Sequence, residues 1–190
     1  PALGLVDVPR STVALAAVLG ASMQIPLAEL GNVVERFAPV PFEQKLRLAA
    51  LLEPTSLADG AGLVFAVVAI APVAEELVFR GLLMAGIARG SGIFVGVAIS
   101  TLGFAVSHGR PDAVAVAFVA GLVLATVAYR TESIVPAIVA HAMNNALPVL
   151  VGARLAPLRG WNVPTEAPTH LPWILVAPLT CLAVAAFVKL

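Results

Sequence analysis

The chain has 190 residues, of which 60% are hydrophobic and 12% are charged, and its mean hydropathy is +1.00. Globular domains carry about 25% charged residues, so this composition excludes a disordered chain and an ordinary soluble domain. Eleven basic residues balance eleven acidic ones, so there is no basic field that would attract nucleic acid. We therefore predict a protein that resides in a lipid bilayer and binds no nucleic acid.

The length limits how such a chain can cross a membrane. A helix needs about 20 apolar residues to span the bilayer core, which allows about six spans here. A transmembrane barrel would need short segments of alternating polarity, whereas the apolar runs of this chain are continuous and rich in Ala, Leu and Val. The prediction is an all-α integral membrane protein, a single domain over 1–190, built as a bundle of about six transmembrane helices around a polar intramembrane site.

The amino-terminal part predicts one span and a connector. The opening Pro-Ala-Leu-Gly has neither an initiator Met nor a basic stretch, so we expect a trimmed start. The first apolar run covers 13–30, and Pro26 is expected to kink it or to end it early. Residues 31–59 are predicted to form an interfacial connector. Within it, 42–52 has one apolar face, which fits either a short helix lying in the interface or a polar loop.

The second apolar run, 60–89, is predicted to carry the polar site. It is too long for an upright span and contains Pro72, followed by Glu75, Glu76 and Arg80. A charged group at that depth costs about 2.5–3.5 kcal/mol on insertion scales, so these side chains must face protein or water. The glycines around Ser91 are expected to end this helix.

The remaining runs complete the predicted bundle. Apolar stretches at 93–108, 112–129 and 134–151 follow, so that 60–151 forms the motif-bearing core. Residues 152–170 contain three prolines and are predicted to form an exposed loop. The last run, 171–188, is expected to be interrupted by Pro172 and Pro178 and to be structural, with Cys181 buried in the core.

Spacing within the second run predicts two roles for its charges. Glu76 and Arg80 are four residues apart in the Glu-before-Arg order that favours pairing on a helix. Glu75 points about 100° away from Glu76 around the helix axis. It therefore lacks a cation in its own helix and is a credible proton acceptor. The alternative is a polar network that only fixes the helix register.

Two histidines on other runs extend the candidate site. His108 follows Phe104 by one helical turn, and His141 precedes Asn145 by one turn, with Asn144 as a rival amide on nearly the same face. Two imidazoles and an amide that converge on an unpaired carboxylate can hold a water molecule, deprotonate it and stabilise an oxyanion.

These residues resemble a known family. Residues 75–80 match the pattern EExxxR, residues 104–108 match FxxxH, and residues 141–145 match HxxxN, each within an apolar run. These are, in order, the three motifs of the CPBP family of intramembrane proteases, which includes the Ras-converting enzyme and the myxosortase branch. The resemblance covers about 72–145, and the other helices match it only as generic apolar segments.

The resemblance implies a metal-independent glutamate endopeptidase without a cofactor. By motif, Glu75 and His108 would activate the water, while His141 and Asn145 would hold the scissile carbonyl and its developing charge. It implies a membrane-anchored or secreted protein as the substrate, cleaved near its C-terminal or membrane-proximal segment. The Ala-, Val- and Arg-leaning composition suggests a bacterial inner membrane. Supporting roles fall to Glu76, Arg80 and Phe104.

Other interpretations remain open at this stage. Glu75, His108 and His141 could instead ligate zinc, with water in the fourth position. A serine protease is disfavoured, because hydroxyls on membrane helices usually bond to backbone carbonyls. A non-catalytic, bacteriocin-immunity-type binding protein would keep the polar core for packing, and a proton-coupled transporter would use it as a relay. The hydroxyl side chains near the site are Ser100, Thr101 and Ser107.

Overall fold

A computed structural model describes residues 4–190, with the backbone alone at 153 and 154; the first three residues of the opening segment lie outside it. The described residues form helices joined by connections of one to six residues and, before the last helix, by the loop 156–172. Their β-type pairing is confined to isolated bridges at Gly4–Ser133 and Arg159–Val163. The helices are α1 (Arg10–Glu35), α2 (Phe42–Leu51), α3 (Leu57–Ser91), α4 (Ile93–Val106), α5 (Pro111–Arg130), α6 (Val135–Leu155) and α7 (Trp173–Lys189).

Six of these helices are apolar enough to belong in a membrane. Helices α1, α3, α5 and the 135–152 part of α6 are also long enough to cross it, while α4 and α7 are shorter. Large apolar side chains such as Phe94 and Leu82 are exposed on the outer surface, where lipid would cover them. The predicted all-α membrane bundle is confirmed.

Several predicted boundaries differ from the structure. Helix α1 continues through Pro26 to Glu35, so the connector begins five residues later than predicted. An interior proline removes one backbone hydrogen bond, and the neighbouring helices packed on α1 keep it helical. Within the connector, α2 shows that the helical interpretation was the right one.

The carboxyl-terminal boundaries also shift. Helix α6 continues to Leu155 with a break at Gly152, whose φ of 50° a glycine adopts without strain, so the proline-rich loop starts at 156. Helix α7 runs uninterrupted through Pro178. The prediction that Cys181 is buried was wrong: it is exposed on α7, since this helix packs on the bundle through small residues such as Ala183 and Ala186.

Helix α1 is held against α6 by a very close backbone approach. A Cβ atom built at Gly20 would lie 2.0 Å from the carbonyl oxygen of Ala140, so only a glycine fits there. Small residues at such crossings let helix backbones approach within van der Waals contact. This crossing fixes α6, and with it the histidine of the third motif, relative to the rest of the bundle.

We expect Gly20→Ala to lower the free energy of unfolding by about 1–3 kcal/mol, since the added methyl group must push two backbones apart. Thermal unfolding of the purified protein in detergent measures this loss. Gly62→Ala is the matched control, because nothing lies within 4 Å of a Cβ at that position. An equal loss in both variants would contradict the packing role of Gly20.

Candidate active site

Helix α3 presents the two glutamates from a short α-helical turn between two wider ones. Residues Ala71–Glu76 are α-helical, whereas Phe65–Ile70 and Leu77–Met84 are π-helical. In the first wide turn the amide of Ala71 donates to the carbonyl of Ala66, five residues back. If this five-residue spacing continued, the carbonyl of Val67 would accept from the backbone amide of residue 72. Residue 72 is a proline, which has no amide hydrogen. The carbonyl of Val67 is therefore left without its helical partner.

Asn145 supplies the missing hydrogen bond. Its Nδ2 donates to the carbonyl oxygen of Val67 at 3.1 Å, which joins α6 to the wide turn of α3. A primary amide carries two hydrogens, so one remains for another acceptor. Asn144 lies beside it, and its Oδ1 is buried without a hydrogen-bond partner in the described segment 4–190.

Glu76 and Arg80 form the ion pair that their spacing predicts. Both side chains are completely buried, with Arg80 Nη1 2.7 Å from Glu76 Oε1. The second guanidinium nitrogen, Nη2, donates to the carbonyl of Gly121 on α5 at 2.9 Å. The guanidinium carbon also lies 4.5 Å from the centre of the Phe104 ring, a cation–π arrangement. This network joins α3, α4 and α5.

His141 lies between the two glutamates. Its Nδ1 is 2.9 Å from Glu76 Oε1, and its Nε2 is 3.8 Å from Glu75 Oε2. An ionised carboxylate only accepts, so Nδ1 carries the proton in the shorter contact, and Nε2 is the nitrogen that faces Glu75. The longer distance exceeds a direct hydrogen bond. Glu75 Oε2 is buried and has no hydrogen-bond partner in the described part of the chain.

His108 lies at the end of α4 and is exposed. Its Nδ1 is 2.9 Å from the carbonyl of Phe104, and since a carbonyl only accepts, Nδ1 carries the hydrogen and Nε2 is left as the acceptor of the neutral ring. The buried Phe104 ring lies 4.9 Å from the His108 ring and 5.7 Å from the His141 ring. Phe104 therefore stands in contact with both imidazoles.

A cavity of about 270 Å³ joins most of the predicted site residues. His108, His141, Asn144 and Asn145 all line it, together with Phe104. Glu75 is not part of the lining, and it shares no hydrogen bond or ion pair with His108 among residues 4–190. The structure thus brings Glu75 to His141, and both histidines to one cavity, but it does not place Glu75 against His108.

The positions of the possible zinc ligands and of the serine hydroxyls can be compared with the zinc and serine-protease interpretations. In the part of the chain that the structure describes, no three His, Cys, Asp or Glu side chains are grouped as metal ligands. Ser107 donates to the carbonyl of Phe104 at 2.7 Å and Ser100 to that of Val97 at 3.2 Å. Both hydroxyls therefore serve the helix backbone, as the sequence predicts, while the hydroxyl of Thr101 is buried without a partner.

Sequence reasoning missed two parts of the site. The bond between Glu76 and His141 joins residues 65 positions apart, and no local spacing signals it. Helix α1 forms one wall of the cavity, although its sequence resembles an ordinary apolar transmembrane segment without a functional motif. The polar Gln24 inside that apolar run was the available signal. The α1 residues that line the cavity are Met23, Gln24, Leu27, Ala28 and Gly31.

Comparison with known proteins gives one match. Residues 58–147 match the family model described as type II CAAX prenyl endopeptidase Rce1-like. This segment contains all three motifs and runs from the start of α3 to the middle of α6. No curated protein and no solved structure matches the chain. The family match, together with the apolar helices, supports a membrane protease.

Proposed function

We propose, from the premise that residues 58–147 form an Rce1-like domain, that the protein is a glutamate endopeptidase of the membrane. In this proposal Glu75 and His108 activate a water molecule, and His141 and Asn145 stabilise the oxyanion. The substrate is a membrane-anchored or secreted bacterial protein, cleaved near its C-terminal or membrane-proximal segment. The bilayer is the bacterial inner membrane.

One observation carries the proposal. Glu75 Oε2 is a buried carboxylate oxygen that has no hydrogen-bond partner among the described residues and lies 3.8 Å from His141 Nε2. Buried polar atoms in native proteins are nearly always hydrogen-bonded, so an unsatisfied one at a polar intramembrane site points to function. A water molecule at ordinary hydrogen-bond distances of about 2.8 Å can bridge two atoms with this separation.

The proposed reaction assigns each proton. Glu75 takes one proton as the water oxygen attacks the scissile carbonyl carbon, and the acceptor nitrogen Nε2 of His108 orients the water from the cavity side. The carbonyl oxygen becomes an oxyanion held by the second amide hydrogen of Asn145 and by His141 Nε2–H. In this step the His141 ring carries hydrogens on both nitrogens, so that Nδ1–H donates to Glu76 at the same time. The proton on Glu75 then passes to the leaving nitrogen, and the C–N bond breaks to give a carboxylic acid and an amine.

The buried pair of Glu76 and Arg80 holds the His141 ring in the orientation that this reaction needs. Because Arg80 bonds to both Glu76 and the backbone of α5, it fixes the carboxylate that orients the His141 ring. Phe104 lies against both imidazoles and limits their rotation. These are positioning roles, since the Glu76 and Arg80 side chains are completely buried and bonded to each other and to the backbone of α5.

Cleavage by the purified protein in lipid vesicles tests the proposal. The panel contains a farnesylated CAAX peptide and an unprenylated peptide anchored by a transmembrane helix. We expect cleavage of at least one of them, a loss of about 10²-fold or more in kcat for His108→Ala, and full activity after treatment with a strong chelator. Arg89→Ala is the control, because the Arg89 side chain is exposed and lines neither this cavity nor the cavity that contains Trp161.

Each other outcome overturns a stated part of the proposal. Absence of cleavage across the panel contradicts the endopeptidase assignment and leaves the non-catalytic binding interpretation. Activity that a chelator abolishes and zinc restores identifies Glu75, His108 and His141 as metal ligands instead. An unchanged His108→Ala variant removes that residue from the reaction.

A further inference from the structure

A second cavity, of about 240 Å³, lies beside the candidate active site. It is enclosed by the carboxyl-terminal end of α1, by α2, by the end of α6 and by the loop 156–172. Side chains attach that loop to the two helices: Asn32 Nδ2 donates to the carbonyl of Gly160 at 2.8 Å, and Lys45 Nζ donates to that of Thr165 at 2.5 Å. The predicted exposed loop is thus a wall of a pocket.

The two cavities follow each other along the same pair of helices. From the crossing at Gly20, α1 lines the first cavity as far as Gly31 and the second from Asn32 onward. On α6 the first cavity ends at Asn145, and the second is lined by Pro148 and Gly152. At 1.5 Å per residue, the second cavity begins about 4.5 Å beyond Asn145 and extends to about 10 Å. Two to three residues of extended peptide, at about 3.3 Å each, cover this distance.

Each cavity contains a buried polar atom that has no hydrogen-bond partner among the residues that the structure describes. In the first it is the acceptor Oδ1 of Asn144, and in the second it is the donor Nε1 of Trp161. Buried indole N–H groups usually find an acceptor. An acceptor followed by a donor along one groove matches the N–H and C=O groups that every residue of an extended peptide presents.

The charges of the second cavity decide which part of a peptide it takes. Among the described residues that line it, Lys45 is the cation, and its Nζ already bonds to Glu35 Oε1 and to the carbonyl of Thr165, at 2.5 Å each. A terminal carboxylate buried here would lack a countercharge, which is costly. An internal, uncharged stretch of backbone is favoured instead. When the cleaved bond lies near the C-terminus of a substrate, the residues after the bond end in the terminal carboxylate. The uncharged internal stretch is then the one that precedes the bond.

We propose that this second cavity binds the two or three substrate residues that precede the cleaved bond, with Trp161 Nε1 donating a hydrogen bond to one of their carbonyl oxygens. The inference rests on the proposed endopeptidase function and extends it to substrate recognition. In this role Asn144 Oδ1 accepts a backbone N–H of the same segment closer to the reacting carbonyl.

Cleavage kinetics with farnesylated CAAX peptides test the assignment. For Trp161→Phe we expect KM to rise about threefold to tenfold, with kcat within about twofold of wild type. The melting temperature should not fall, because the substitution removes a donor that is unsatisfied in the free protein. Trp173→Phe is the matched control, since Trp173 is 78% exposed and lies outside both cavities.

A peptide series tests which side of the bond is recognised. Peptides with one to four residues before the cleaved bond should show a falling KM up to the third residue and no change after it. Trp161→Phe should flatten this dependence. A KM that responds only to residues after the bond, or a Trp161→Phe variant with unchanged KM, would overturn the proposal.

Fluorescence separates this inference from the proposed function. The double variant Glu75→Gln, Trp173→Phe keeps Trp161 as the single tryptophan of a chain that has two. Binding of the farnesylated peptide should shift the Trp161 emission, whether or not any variant cleaves. Cleavage by wild type without such a shift refutes the cavity assignment alone, whereas a shift without cleavage by wild type refutes the proposed function alone.

Discussion

Glu75→Gln is expected to reduce kcat for peptide cleavage by about 10²- to 10⁴-fold, the range that general-base groups contribute. Glutamine keeps the shape of the side chain but cannot accept the proton of the attacking water. The carboxylate oxygen that lies 3.8 Å from His141 Nε2 has no hydrogen bond to lose within the described part of the chain. The fold should therefore persist, and circular dichroism and the melting temperature in detergent should match those of wild type.

A matched control is available on the surface. Glu43→Gln makes the same chemical change in α2, where the side chain is 85% exposed, and its kcat should equal that of wild type. The measurement is the initial rate at saturating peptide for all three proteins. If Glu75→Gln retains more than about a tenth of wild-type kcat, Glu75 is not the general base, and the Glu76-bound His141 becomes the leading candidate for that role.

Glu76→Ala is expected to lower the free energy of unfolding by about 3–5 kcal/mol, because it leaves the guanidinium of Arg80 buried without its anion. Arg80 keeps its bond to the Gly121 carbonyl, but a single carbonyl does not neutralise a charge. The variant also removes the partner of His141 Nδ1. We therefore expect lost activity together with lost stability, measured by chemical unfolding in mixed micelles.

The chain supplies a second Glu–Arg pair of the same spacing as the control. Glu43 and Arg47 are also four residues apart, but they are 3.8 Å from each other and more than four fifths exposed. Exposed pairs contribute little, so Glu43→Ala should leave stability unchanged. A double variant, Glu76→Leu with Arg80→Met, should recover part of the stability but none of the activity. An equal effect of both Glu→Ala variants would refute the role of burial.

The helical period allowed several contacts of the candidate site to be predicted from the sequence. The pair of Glu76 and Arg80 follows from the 3.6-residue helical turn, which places residues four apart on one face. The contact of Phe104 with His108 follows in the same way. Charged residues are rare in apolar runs because no lipid-facing position tolerates them, so the charges of α3 indicated that this helix carries the candidate site.

Other features depend on contacts between helices. Pro26 and Pro178 did not end their helices, because packing in an apolar environment outweighs the loss of one hydrogen bond. The hydrogen bond of Asn145 to Val67 depends on a wide turn before Pro72, which the apolar pattern does not reveal. The loop 156–172 was expected to be exposed, yet bonds from Asn32 and Lys45 make it a cavity wall.

By itself the sequence determined the class of protein, the helices that carry the polar groups and the pairing of neighbours within one helix. These depend on composition and on a fixed helical period. Only the tertiary structure decided that His141 bonds to Glu76, that Glu75 approaches His141 rather than His108, and that α1 walls the cavity. The reason is that the rotation and spacing of one helix against another are set by side-chain volumes at their crossing, such as the missing side chain of Gly20 against Ala140, and no local period encodes them.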